Sequence, residues 1–322
     1  MVSIIIAARD EEQHVENLLN DLRKQDYPKH KLQILIGDDG SKDGTLMLLT
    51  QHSDPNIEVF RIVQEESRLK GKMNVLAQLS ELATGDYLLF TDADVRLNSN
   101  WVKGMIQTAK PEAAMHCGFT GVKAVGAFQS LQHVDMVFGQ GMLKVLNDLG
   151  MVNAVIGNNL LVSREAYCKV GGHKSLPFSI VEDVALMQSF LKEGYRVHLN
   201  YTPDTYITTT GESSWLKLMA QRKRWMAAFA TIPYWLRIVL LIKFSFLPAL
   251  LYLLQFNSWF GLFFVLKVGL SLAFYNEIAQ TIKIKVPIVH VVLYEFFEPI
   301  AYFSTLIYYV LPIKVKWKDR EY

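Results

Sequence analysis

Tyr87-Leu88-Leu89-Phe90-Thr91-Asp92-Ala93-Asp94 opens on large apolar residues and ends on two carboxylates. A short apolar run of this kind suits a strand buried on both faces. The carboxylates then stand at the strand's carboxyl end. The same grammar occurs twice upstream. Residues 2–7 are apolar, rich in β-branched side chains, and lead into Asp10-Glu11, while residues 32–36 lead into Gly37-Asp38-Asp39-Gly40-Ser41. Between them, residues 11–25 place Val15, Leu18, Leu19 and Leu22 at helical spacing. Residues 45–51 and 71–82 also read as helices, and residues 57–63 as another strand. Strands alternating with helices predict a parallel α/β sheet with right-handed crossovers. Ligands of such sheets gather at the carboxyl ends of the strands, where all three acidic clusters fall.

Beyond residue 94 the pattern is less regular. Residues 160–163 and 195–199 read as strands, residues 182–193 as a helix, and residues 215–229 as an amphipathic helix carrying Trp215, Arg222, Arg224 and Trp225. That mix of aromatics and cations suits a membrane interface. Residues 244–266 contain no charge, and a crossing needs roughly 20 apolar residues. Gln255-Phe256-Asn257-Ser258 therefore reads either as the interior of one span or as the turn of a hairpin formed by residues 237–280. Residues 286–311 are again apolar, interrupted by Glu295, Glu298 and Pro299. Two regions are expected: a catalytic domain over residues 1–230 and a membrane region with a basic tail over residues 231–322.

The 322 residues carry a formal charge of only +2, which gives no case for nucleic acid as a partner. The two cysteines, Cys117 and Cys168, lack ligand-like spacing and read as reduced thiols of a cytosol-facing domain. The first strand begins at once, so neither a cleaved signal peptide nor a leading membrane helix is expected, and the anchor is expected to be C-terminal.

Five constellations carry chemistry. Asp92 and Asp94 are able to offer one oxygen ligand to a hard divalent cation and one to a ribose or a metal-bound water. Asp38 to Thr45 form an acidic, glycine-bearing loop that caps a helix, or a base pocket in which a carboxylate accepts the N3–H of a uracil. Lys70 and Lys72 open a helix and reach either solvent or phosphate. Glu182 and Asp183 open another helix; Glu182 reads equally as a cap or as a functional acid, and Asp183 is favoured as a catalytic one. Gln221, Arg224 and Trp225 share a helical face at i, i+3 and i+4, and Arg224 is able to hold a diphosphate through paired hydrogen bonds.

Taken in order, Ser3 to Glu12, Asp38 to Thr45, Lys70-Gly71-Lys72-Met73-Asn74, Thr91 to Asp94, Glu182-Asp183 and Gln221-x-x-Arg224-Trp225 resemble the family 2 inverting glycosyltransferases with the GT-A fold. Asp10 departs from the asparagine many members carry. Glu298-Pro299 and the segment 315–322 are similar to the end of ceramide-glucosyltransferase-like enzymes. The resemblance implies a Rossmann-like nucleotide-sugar-binding domain followed by transmembrane helices. It implies Asp39 on the nucleotide base with Ala8 and Glu11 lining that pocket, Lys72 on the donor, and Asp92 on ribose or metal. It further implies Asp94 on Mn²⁺ or Mg²⁺, Asp183 as general base, and Gln221, Arg224 and Trp225 closing on diphosphate and acceptor. Gly157-Asn158-Asn159 is expected on the acceptor side. His173 and His198 lie outside the matched motifs and stand as alternative bases.

The function expected is single-sugar transfer from a nucleotide-sugar, UDP being the family's commonest carrier, to a membrane-associated acceptor, a lipid first and a glycan second. Processive polysaccharide synthesis is the alternative, and a non-catalytic nucleotide-sugar-binding protein a remoter one. The catalytic domain is expected at the cytoplasmic side of the cell membrane, with residues 237–280 as a hairpin, residues 286–311 kinked at Pro299 without a full crossing, and the basic tail on that same side.

Overall fold

The computed structural model describes residues 1–51, 54–63, 69–285, 287–313, 316–317 and 320–321. Its first elements follow the predicted alternation: β1 (Val2–Ala8), α1 (Glu12–Arg23), β2 (Leu32–Asp38), α2 (Thr45–Gln51), β3 (Ile57–Arg61), α3 (Gly71–Leu82) and β4 (Tyr87–Asp92). β1 lies between β2 and β4, parallel to both, and β3 adds in parallel outside β2. The register pairs Ala8 with Asp38 and Ala7 with Asp92, so three strands end level with one another. Successive strands build outward on one side of β1, then the chain returns to its other side. Such a reversal opens a crevice at the carboxyl ends, and the acidic turns after β2 and β4 flank it. The apolar run of β1 is buried on both faces, as predicted. Val15, Leu18, Leu19 and Leu22 of α1 join the same core.

β5 (Val95–Arg96), α4 (Trp101–Gln107), β6 (Met115–Cys117), β7 (Thr120–Lys123), α5 (Ala127–Asp148), β8 (Asn159–Ser163), α6 (Arg164–Lys169), α7 (Glu182–Lys192), β9 (Val197–Leu199) and β10 (Ile207–Thr210) follow. The main sheet has the order β3-β2-β1-β4-β8-β6-β9, with β8 antiparallel to both β4 and β6. The 22-residue α5 was not legible in the sequence. It buries Ser130, Gln132 and His133, which blurs the apolar stripe that marks a helix.

The chain ends with α8 (Trp215–Trp225), α9 (Tyr234–Leu253), α10 (Gly261–Thr281), α11 (Ile288–Val310) and the two-residue strands β11 (Lys316–Trp317) and β12 (Arg320–Glu321). The helix expected over residues 215–229 stops at Trp225 and continues as a 3₁₀ turn over Met226–Thr231. Residues 254–260 form the turn between α9 and α10, so Gln255 to Ser258 lie outside any long helix. Lys314 and Lys318 of the basic tail lie outside the described residues.

Contacts divide the chain into two compact units. One is Met1–Thr120 with Leu146–Thr210, and the other is Gly121–Val145 with Gly211–Tyr322. The expected boundary at residue 230 follows composition, whereas these units follow packing. In the second unit, Tyr234–Leu253 and Ser258–Thr281 are long and apolar enough to cross a membrane.

Candidate active site

Three loops meet at the carboxyl edge of the first unit's sheet. Asp10 follows β1 with a φ of 49°, the left-handed conformation that Asp and Asn tolerate best. Its carboxylate accepts the Lys42 N–H at 2.7 Å, and its own N–H donates to Ser41 Oγ at 3.0 Å. The requirement is for a short polar side chain that bonds locally, which explains why Asp replaces Asn there without disturbing the loop. Asp38 is fully buried and accepts the Gly40 and Ser41 N–H groups. It holds the loop shape. Asp39, one residue on, donates its N–H to the Ala8 carbonyl, and Arg9 Nη1 donates to the Asp39 carbonyl at 2.5 Å.

Asp94 lies two residues beyond the end of β4. Burial, then Asp92, then Glu11 push its carboxyl up to about 6, against a hydrogen bond donated by Thr209 Oγ1 at 2.9 Å. Glu11 is paired with His14 Nδ1 at 2.7 Å. Among the described residues no three His, Cys, Asp or Glu side chains converge tightly enough to hold a metal alone. Asp92 and Asp94 would supply hard oxygen donors of the kind Mn²⁺ or Mg²⁺ takes, with diphosphate and water completing the shell. A cation there would offset both the burial and the Asp92 and Glu11 charges that raise Asp94, so the residues fit the ion.

Lys72 changes the picture drawn from sequence. Its Nζ lies 2.7 Å from Asp92 Oδ1 and 2.8 Å from Glu182 Oε1. Burial opposes its charge, but the two carboxylates outweigh burial and hold Lys72 above its ordinary range. It is therefore not the solvated lysine that its helix position alone favoured. Gly71, which precedes it, has a φ of +57°, a conformation glycine adopts without strain, and it turns the chain into α3. Glu182 is the first residue of α7, preceded by Val181, whose side chain makes no cap bond. Burial raises its carboxyl, but the Lys72 ammonium more than reverses that, and Glu182 stays ionised.

Asp183 is built differently from its neighbour. Oδ2 accepts the Gly157 N–H at 2.9 Å, and Oδ1 accepts its neighbour's N–H, from Val184, at 2.8 Å. Burial, reinforced by the Glu182 charge, pushes it up to about 6. A Cβ on Gly157 would lie 2.9 Å from Asp183 Cβ and Oδ2, so only glycine permits this approach. Asn158 Oδ1 accepts from Thr120 Oγ1. Asn159 is fully buried, tying the Trp101 indole to the Phe119 and Thr205 carbonyls. Asn159 thus serves packing. His173 packs edge-on against Phe90, its Nδ1 lies 2.8 Å from the Tyr167 hydroxyl, and burial drives it down to about 4. His198 sits in β9, edge-on to His116.

Gln221, Arg224 and Trp225 belong to the second unit, on α8. Gln221 Nε2 donates to Glu212 Oε1 at 3.1 Å, and Trp225 is exposed. On the same helix, Arg222 is bound to Asp135 and Lys223 to the Leu311 carbonyl, both inside the unit.

The sequence profile of glycosyl transferase family 21 matches residues 2–322. The chain belongs to that family. Poly-β-1,6-N-acetyl-D-glucosamine synthase of Staphylococcus aureus is 26% identical over 231 residues, 70% of this chain and 53% of that protein. Glycosyltransferase AglE of Haloferax volcanii is 25% identical over 156 residues, 45% of this chain and 51% of that one. The chain spans about half the length of the curated relatives it matches. A mannosyltransferase from Pyrobaculum calidifontis, solved in complex with GDP-Man and Mn²⁺, superposes with a TM-score of 0.57 at 18% identity, over 92% of this chain and 87% of that one. The fold of this family 21 glycosyltransferase is therefore GT-A, as the sequence motifs implied.

Four residues of this family 21 chain that bond to the groups above were not evident from its motifs. His14 lies one helical turn after Glu11 and was legible as an i, i+3 pair. Thr209, Asp135 and Tyr294 carry no local signal, because their partners lie far away in the chain.

Proposed function

We propose that this glycosyltransferase moves one sugar, with inversion, from a metal-bound nucleotide-sugar to a lipid acceptor at a membrane. The observation that carries the reading is the Asp92–Lys72–Glu182 bridge with Asp183 beside it. One buried lysine ties the acidic turn expected to hold the donor to the helix that presents Asp183. Glu182, locked on that lysine, is occupied. Asp183 has its oxygens oriented by two N–H groups and its affinity for a proton raised toward neutrality. A general base for a hydroxyl nucleophile needs that placement and that range. Inversion requires such a base opposite the leaving diphosphate.

Asp92 and Asp94 would hold Mn²⁺ or Mg²⁺, which neutralises charge on the departing diphosphate. Asp39, with Ala8 and Glu11, is assigned the nucleotide base, and its carboxylate suits the N3–H of uracil, so the carrier is taken as UDP. Gln221, Arg224 and Trp225 are assigned to diphosphate and acceptor.

A membrane acceptor is supported by α9 and α10. Their exposed Ile238, Leu241, Ile242, Leu262, Phe263 and Val265 form more apolar surface than water tolerates on one molecule. At 20 residues, α9 spans about 30 Å. We assign α9 and α10 to a hairpin that crosses and returns. α11 is assigned to the near side without a full crossing, because Lys223 of α8 donates to the Tyr308 and Leu311 carbonyls at its C-terminal end. The catalytic domain is taken to face the cytosol, where nucleotide-sugars are made.

The experiment is incubation of the purified chain with radiolabelled nucleotide-sugars, Mn²⁺ and membrane lipid. A discrete labelled lipid is expected from one UDP-sugar. The resemblance to a poly-β-1,6-N-acetyl-D-glucosamine synthase supports a second reading, processive synthesis. Long polymer in the same assay would establish that reading and remove the first, and label transferred to no acceptor would remove both.

A further inference from the structure

α8 has two faces, and they are used differently. Trp215, Met219, Arg222 and Lys223 recur at i, i+4, i+7 and i+8, which puts them on one side of the helix. Every one of them is fastened to α5 or α11. Trp215 meets the Phe297 ring edge-on at 5.8 Å, and Thr305 Oγ1 donates to Met219 Sδ at 3.7 Å. Arg222 Nη2 lies 2.5 Å from Asp135 Oδ2 of α5, with its guanidinium over the Phe297 ring. Lys223 Nζ donates to the Tyr308 and Leu311 carbonyls at 3.2 and 2.8 Å, closing a helix end whose last carbonyls lack intrahelical donors. Gln221 and Arg224 fall on the opposite side, and Trp225, one turn after Arg222, lies on the flank between the two. α5 and α11 thus hold the helix from behind, while Gln221 on the signature face donates to Glu212 Oε1.

The ion pair behind it does not stop at Asp135. The Tyr294 hydroxyl lies 2.7 Å from Asp135 Oδ1 and 2.9 Å from Glu298 Oε1, and Lys243 Nζ lies 2.5 Å from that same Glu298 oxygen. The chain Arg222–Asp135–Tyr294–Glu298–Lys243 therefore joins α8, α5, α11 and α9. Tyr294 is buried, and Glu298 is only 5% exposed. Apolar contacts of α8 allow it to roll by small amounts, since packing has little direction. A hydrogen-bonded chain whose centre, Tyr294 and Glu298, is buried does not, because rolling would pull its directional bonds apart and leave charge unpaired there.

We propose that Asp135 is a positioning residue for sugar transfer. Through Arg222 it fixes the rotation of α8 about its axis, and so the direction in which Gln221, Arg224 and Trp225 point. Tyr294, Glu298 and Lys243 hold Asp135 in turn, which ties that direction to the apolar helices. The proposal rests on the reading that the signature face acts on diphosphate and acceptor.

The test uses the full chain in detergent, with kcat and donor KM measured for Asp135→Ala, Tyr294→Phe, Arg222→Asp and the exchange of Arg222→Asp with Asp135→Arg. Asp135→Ala is expected to lower kcat about ten- to a hundredfold, the scale on which a small misplacement of working groups costs rate. Donor KM should rise by less than kcat falls, because only the diphosphate end of the donor is assigned to the signature face and the nucleotide base is assigned elsewhere. Tyr294→Phe removes one oxygen with little change in volume, and should lower kcat in the same direction by less. The exchange should restore kcat to within about threefold of wild type, although each single variant loses it. Wild-type kcat in Asp135→Ala, or an exchange no better than its single variants, overturns the proposal. If Asp135→Ala does not fold, Tyr294→Phe and the exchange decide the matter by the same criteria. Gln221→Ala and Arg224→Ala in the same assay separate the two readings. Should they turn over normally, the role of the signature face fails, and positioning with it. Should they lose turnover while Asp135→Ala keeps it, positioning alone fails.

Discussion

Both units bury charge, and they complete it in opposite ways. In the second, Asp135 has Arg222, Glu298 has Lys243 and Glu295 has Lys267. In the first, Lys72 satisfies Asp92 and Glu182. Among the described residues, neither Asp94 nor Asp183 has a cation within ion-pair distance, and both carboxyls are pushed up to about 6. An acid left in a buried site without a counter-charge is costly. Where the purpose is to hold helices together, each acid has its cation within the chain. Where acids are left over, the missing partner is expected to arrive with a ligand: a metal ion for Asp94, a proton of the acceptor for Asp183.

The comparison breaks first at Asp94. If the leftover acids await ligands, Asp94→Ala should lower transfer by about a thousandfold, since losing a metal ligand removes several kcal/mol of charge stabilisation. Mn²⁺-dependent donor binding, followed by calorimetry, should go with it. Donor affinity indifferent to chelator in the wild type would show that Asp94 awaits no metal.

Asp183 comes next. Asp183→Asn keeps size and most hydrogen bonds while removing basicity. Transfer should slow at least about a hundredfold, with donor and metal binding unchanged. A base works only when ionised, so wild-type turnover should rise with pH through about 6 and fall below it, and the variant should lose that limb. The stability sign is opposite. A carboxyl raised in the folded state contributes stability fully below its unfolded pKa of about 4 and loses it as pH climbs through about 6. Melting temperature against pH checks this in wild type and Asp183→Asn. Near-wild-type turnover in the purified variant would move attention to Glu182.

A third test acts on the one cation that the first unit does supply. Lys72→Met strands Asp92 and Glu182 together, and the loss of a buried partner costs about 3 kcal/mol. Because the Lys72 charge holds the Asp183 carboxyl down, its removal should also move the pH limb upward. Unchanged denaturant stability and an unmoved limb together would mean that the bridge does not couple the two acids.

The smallest effect belongs to the second unit. Lys267→Met with Glu295→Gln replaces a completed pair by two neutral groups, and such replacements are close to neutral, within about 1 kcal/mol. Either substitution alone should cost more, as judged by thermal denaturation in detergent. If the double variant loses as much as the worse single one, this pair does more than pack helices.

Much of the first unit was legible because its signals are local. The strand-then-acid grammar of residues 2–11, 32–41 and 87–94 located the sheet, its direction and its loaded edge. The apolar length of α9 and α10 was equally plain. The roles inside the clusters were not. Asp38 and Asp39 look alike in sequence, yet one shapes a loop and the other does not share its bonds. Glu182 and Asp183 are adjacent carboxylates that burial and one distant lysine drive apart. Helix α5 escaped notice because it buries polar side chains, and its Asp135 gave no sign of its partners on α8 and α11.

The sequence by itself determined the alternation of elements, the carboxyl-edge position of the acids and the apolar character of the last third, since periodicity and composition act within a few residues. Only the tertiary structure decided which acids are neutralised, which stay proton-hungry and which face of α8 is anchored. Those properties depend on burial and on charges 20 to 163 residues apart in the chain, as in Lys72 with Asp92 and Glu298 with Asp135 through Tyr294, and no local pattern records such distances.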